Sequence, residues 1–176
     1  QVNKVNLKAL MGEKMLSELE ADYKDFISSC PDTSLTNDLK NTYSKLLPFE
    51  AGKNIKETGL IITDSLHLAK GNNRKYILLQ LLPWDGLPAN NLQNAFDLKQ
   101  RIEAEGLTST IQLELYSKFS SHNAKKVKPY KAIPNQQVQD LKSKGIYPLT
   151  ILMREDGTIL YRRLWDFDID TIIDLV

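Results

Sequence analysis

Few residues in this chain could begin a chemical step. The only thiol is Cys30, so neither an internal disulfide nor a thiolate zinc cluster can form. It sits just before Pro31, at the end of a helical stretch, where the helix dipole disfavours a thiolate. It reads as a small buried or half-buried residue, with an intermolecular disulfide or a reactive thiol as the alternatives. His67 and His122 are far apart in sequence with no Cys or His nearby, and no ligand spacing suggests a metal. Asp166, Asp168 and Asp170 imitate the start of a calcium loop, but Thr171 stands where its glycine is needed. Lys118, Lys125, Lys126, Lys128 and Lys131, interleaved with Tyr116, Phe119 and Tyr130, give charge without the arginine fork that reads phosphate or bases. They read as a solvated loop or a surface for an acidic partner. No glycine-rich phosphate loop, nucleophile elbow or His-Glu-x-x-His motif occurs. The sequence therefore assigns no catalytic residue, no metal and no cofactor.

Composition narrows the class. The 176 residues suit one domain with an appended helical segment, and 41% apolar content is enough for a core. Lys and Arg number 23 against 22 Asp and Glu. So even a balance gives no electrostatic case for nucleic acid or an anionic membrane surface. No apolar run approaches a membrane span; the longest, Tyr76 to Trp84, is strand-length and interrupted by Gln80. The chain starts at Gln1, which leans towards export with a leader or anchor removed. No Asn-x-Ser/Thr acceptor marks a glycosylated route.

The elements that must position any site follow from periodicity. Leu7, Leu10, Met11, Met15, Leu19, Tyr23, Phe26 and Ile27 recur at three and four, predicting one long helix from Val5 to Ser29. A second helix is predicted from Thr36 to Leu47, ended by Pro48, then a connector from Phe49 to Thr58. Gly59–Thr63 and Leu66–Ala69 read as short strands around Asp64-Ser65. Lys75–Leu82 is apolar enough to be a strand buried on both faces. Helices are predicted at Ala89–Glu105 and Asn135–Lys144, closed by Gly106 and Gly145. Thr110–Tyr116 alternates, with Ile111, Leu113 and Leu115 opposite Gln112 and Glu114. Leu149–Met153 and Thr158–Arg163 form a hairpin through Glu155-Asp156-Gly157, and Asp168 caps a last helix. From residue 75 the order is β-α-β-α-β-β-α, a mixed α/β sheet flanked by helices.

Two stretches make this order resemble the thioredoxin-like superfamily, in particular its TlpA-like branch. Gly145-Ile146-Tyr147-Pro148, running into Leu149-Thr150-Ile151-Leu152-Met153 and Asp156-Gly157, is similar to the half in which a cis-proline opens a strand ending in an Asp-Gly hairpin. Here Leu149 stands between the proline and the threonine that usually follows it directly. Trp84-Asp85-Gly86-Leu87-Pro88 falls where the family carries Trp-Cys-Gly-Pro-Cys. The Gly59–Ala69 hairpin also looks like that branch's lead-in. The resemblance covers roughly residues 58–176, leaving 1–57 as an N-terminal helical extension.

It implies a cis Tyr147–Pro148 bond and a peptide groove lined by Trp84, Leu87, Tyr147 and Pro148, unless the N-terminal helices cover that cluster. It also places Asp85 and Pro88 at the two cysteine positions. Disulfide exchange needs an attacking thiolate and a resolving thiol, so the degenerate motif implies a redox-inactive relative. The expected role is protein binding, chaperoning or assembly, with the bacterial cell envelope or periplasm as its setting. Two alternatives stand beside it. One is a thiol-dependent oxidoreductase or peroxidase using Cys30. The other is a structural subunit, or a dimer, assembling through the N-terminal helix or Cys30.

Overall fold

The computed structural model describes residues 4–60, 74–82, 89–117, 131–164 and 167–176. Among the described residues, five strands form one sheet in the order β3-β2-β1-β4-β5. They are β1 (Tyr76–Leu82), β2 (Ile111–Ser117), β3 (Lys131–Ala132), β4 (Leu149–Arg154) and β5 (Ile159–Leu164). β1 runs parallel to β2 and antiparallel to β4, and β4 pairs antiparallel with β5. Crossing helix α4 (Ala89–Ala104) joins the parallel pair, and α5 (Asn135–Lys144) leads from β3 into β4. This mixed sheet with its flanking helices has the kind of architecture that the thioredoxin-like resemblance implied.

The sheet buries both faces, so strand alternation does not separate core from solvent. Ile77, Leu79 and Leu81 point into one apolar cluster with Val138 and Leu141 of α5. Leu78 points into the other with Leu98 and Ile102 of α4 and Ile172 of α6 (Ile169–Asp174). Gln112 and Glu114 do lie opposite Ile111, yet they too are buried. The Glu114 carboxylate accepts from the Gln112 amide at 2.7 Å and from the Lys131 ammonium. Burial draws the Lys131 pKa down, but Glu114 outweighs it and the net shift is upward.

The long N-terminal helix is instead two, α1 (Lys4–Glu13) and α2 (Glu20–Ser29), separated by a 3-10 turn at Leu16–Leu19. A continuous helix would bond the Met15 and Leu16 N–H groups to the Met11 and Gly12 carbonyls. Those carbonyls accept from the Arg162 guanidinium instead. Met15 donates to Glu18 Oε1 at 3.0 Å, and Leu16 donates to Glu50 Oε2 at 2.9 Å. Arg162 Nη2 meets the other Glu50 oxygen at 2.9 Å, with the arginine side chain wholly buried. One ion pair from elsewhere in the chain thus supplies partners for both ends of the break. The apolar spacing continues across it, which is why periodicity alone reads one helix.

The next helix, α3 (Thr33–Leu46), starts three residues earlier than expected because the Asp32 carboxylate accepts from the Ser34 and Leu35 N–H groups. Leu7, Met11, Leu39 and Leu46 from these helices share the cluster on the α5 face of the sheet. The connector is folded as 3-10 turns at Leu47–Phe49 and Ile55–Thr58 and is tied to the hairpin. Gly52 N–H donates to Ile159 O, Ile159 N–H to Lys53 O and Ile55 N–H to Gly157 O, each at 2.8 Å. Gly157 has φ of +84°, and a Cβ there would come within 3.1 Å of Ile55. Only glycine suits that turn.

The expected strands at 59–63 and 66–69 fall almost wholly outside the described residues. Among the described helices none is long and apolar enough to cross a membrane.

Candidate functional site

β1 ends at Leu82, where the chain enters residues 83–88, and α4 resumes at Ala89. The register pairs Leu81 of β1 with Leu149 of β4. Pro148, immediately before Leu149, therefore lies beside the end of β1, and the Tyr147–Pro148 bond is cis. Gly145 makes the loop possible: with φ of +72° it caps α5 and its N–H donates to Lys142 O at 3.0 Å. Ile146 N–H then donates to Leu141 O at 3.1 Å. The helix end and the strand start are thus held a few residues apart.

Around this loop the side chains divide. Ile146 and Tyr147 are buried at 2% and 4% exposure in the cluster they share with Leu7 and Leu46. Tyr147 supports the loop from the core and offers little surface of its own. Pro148 is half-buried. Trp84, Asp85, Gly86, Leu87 and Pro88 lie outside the described residues, as do His67, His122, Lys118, Lys125, Lys126, Lys128 and Asp166.

Gln80 is the polar residue within the apolar run of β1. It pairs in register with Thr150, and both are buried. Its side-chain oxygen has no hydrogen-bond partner among the described residues. It sits two residues before the end of β1, on the α4 face of the sheet.

The remaining candidates have plain surroundings. Cys30 is half-buried at the end of α2, its Sγ 3.9 Å from Asp32 O. Asp168 caps α6, accepting from Thr171 N–H at 3.2 Å and the Thr171 hydroxyl at 2.9 Å; these bonds hold its pKa below the ordinary carboxylate value. Asp170 pairs with Arg101 at 3.5 Å. Among the described residues no three of His, Cys, Asp and Glu gather as metal ligands would.

The scan of protein families matches none, and no curated protein matches. Solved structures do match. A thioredoxin-like protein from Parabacteroides distasonis is 13% identical, covering 62% of this chain and 82% of its own, with a TM-score of 0.43. The pneumococcal exposed lipoprotein thioredoxin of Streptococcus pneumoniae is 14% identical over 58% of this chain and 84% of its own, with a TM-score of 0.39. The N-terminal domain of PilB from N. meningitidis is 13% identical over 76% and 93%, with a TM-score of 0.43. This chain is similar to each at the level of fold, and residue roles come from its own geometry.

Proposed function

We propose that this chain is a redox-inactive thioredoxin-like protein that binds another protein, in chaperoning or assembly, in the bacterial cell envelope. One observation carries the reading. Pro148 lies beside the strand end that leads into residues 83–88, and that segment holds Asp85 and Pro88 and no sulfur. The one thiol, Cys30, lies on a different element, at the negative end of α2. The domain organisation we propose is a helical extension over 1–57 packed on a thioredoxin-like unit over 58–176.

The surface is then read as the half-buried Pro148 together with Trp84 and Leu87. An extended peptide there would gain main-chain bonding and an aromatic anchor. Binding to an array of extended apolar peptides tests this, with Trp84→Ala and a thermal melt run in parallel. Trp84→Ala should weaken binding by about 2 kcal/mol or more while the melt stays normal. A normal melt with unchanged binding would defeat the proposal, as would a wild-type chain that binds no peptide.

A further inference from the structure

A cleft of about 240 Å³ opens between α4 and the outer end of β2, on a different face of the sheet from the Tyr147 cluster. Its floor is Ile102, Ile111 and Leu115, buried at 3%, 2% and 4% exposure, and the half-exposed Leu113 stands at its mouth. Its rim carries Arg74, Lys99 and Glu103, two cations against one carboxylate. Arg74 Nε donates to Thr108 O at 3.1 Å, which anchors the guanidinium beside the opening. Its terminal nitrogens make no further hydrogen bond among the described residues. Lys99 meets Glu103 only at 3.7 Å, with both side chains about half exposed at 53% and 51%, so the pair is loose.

An apolar floor under an anchored guanidinium fits a ligand with a greasy body and one planar anion. We propose that this cleft binds a small aliphatic carboxylate. Arg74 would take the carboxylate on its free edge, a fork-to-fork geometry that a point charge cannot offer. Lys99 adds a second positive charge, and the chain lies on Ile102, Ile111 and Leu115. An apolar cavity of about 150 Å³ accepts benzene, so this one suits a chain of about six to eight carbons. A multiply charged phosphate would leave the floor unused.

The test is a methyl-NMR titration of the full chain with sodium octanoate, 1-octanol and N-acetylleucine, reading Ile102, Ile111, Leu113 and Leu115. Octanoate should give saturable shifts with Kd below about 1 mM, and octanol should bind at least about fivefold more weakly for lack of the charge-assisted pair. Arg74→Gln, at a partly exposed position, should bring octanoate down to the level of octanol and leave octanol unchanged. Lys99→Gln should weaken octanoate by a smaller factor. The proposal is overturned by no shift at millimolar octanoate, by equal binding of octanoate and octanol, or by an unaffected Arg74→Gln. Tighter binding of N-acetylleucine would also overturn it, because the cleft would then prefer a peptide end to a free aliphatic acid.

Discussion

Arg162 is the most consequential side chain outside the loop at Pro148. Its charge is buried, and burial lowers its pKa while the Glu50 carboxylate partly restores it. Truncation to Met would strand Glu50 in the core and orphan the carbonyls of Met11 and Gly12. Arg162→Met should therefore cost about 3–5 kcal/mol in chemical denaturation, with Arg162→Met/Glu50→Leu recovering part of the loss. A cost below about 1 kcal/mol would show that the pair contributes little. Gln80 has the opposite sign. Its oxygen is a buried acceptor with no partner among the described residues, so Gln80→Leu should be neutral or stabilise by about 1 kcal/mol. A loss of stability would mean that the amide makes a bond essential to the fold. At Asp168 the folded carboxyl is held below its unfolded value by the Thr171 N–H and hydroxyl. Its contribution is full above about pH 4, the unfolded value, and fades as pH falls through the lower folded one. Asp168→Ala should thus cost about 1 kcal/mol at neutral pH, and the gap to wild type should close in acid. The Asp168 cap was visible in the sequence, whereas the roles of Arg162 and Gln80 were not. Glu50 and Arg162 are far apart in the chain, and nothing local to either marks the pair.

Elements whose ends carry local chemistry were legible. Gly106 and Gly145 mark the ends of α4 and α5, Asp168 the start of α6, and Asp156-Gly157 the hairpin. The break between α1 and α2 was not, because its stabilising partners come from Glu50 and β5. Nor was the folding of the connector, whose Gly52, Lys53 and Ile55 bond to Gly157 and Ile159 of the hairpin. The two helices before Pro31 also differ in burial. α1 places Leu7 and Met11 at 0% exposure in the same cluster as β1 and β4, whereas α2 has no fully buried residue. The α1 stripe is thus engaged within its own chain. Leu7→Ala should lower stability by about 2–5 kcal/mol in one cooperative transition. An unchanged melt, or a separate early transition for the helices, would mean that 1–57 is loosely attached.

At the level of the fold, the order of helices and strands from residue 75 matched the expectation except for the short added strand β3, and the Tyr147–Pro148 bond is cis as the resemblance implied. Tyr147, one of the residues expected to line a groove, belongs to the core, because an apolar residue beside a proline reads the same way whether it faces solvent or the interior. The proposed function turns on one combination: a strand end beside Pro148 that leads into Asp85 and Pro88 rather than two thiols. Insulin-disulfide reduction under excess dithiol, run on the wild type and on Cys30→Ser, addresses that combination most directly. Both proteins should match the uncatalysed background. Turnover by the wild type that disappears in Cys30→Ser would contradict the account and make Cys30 the working sulfur.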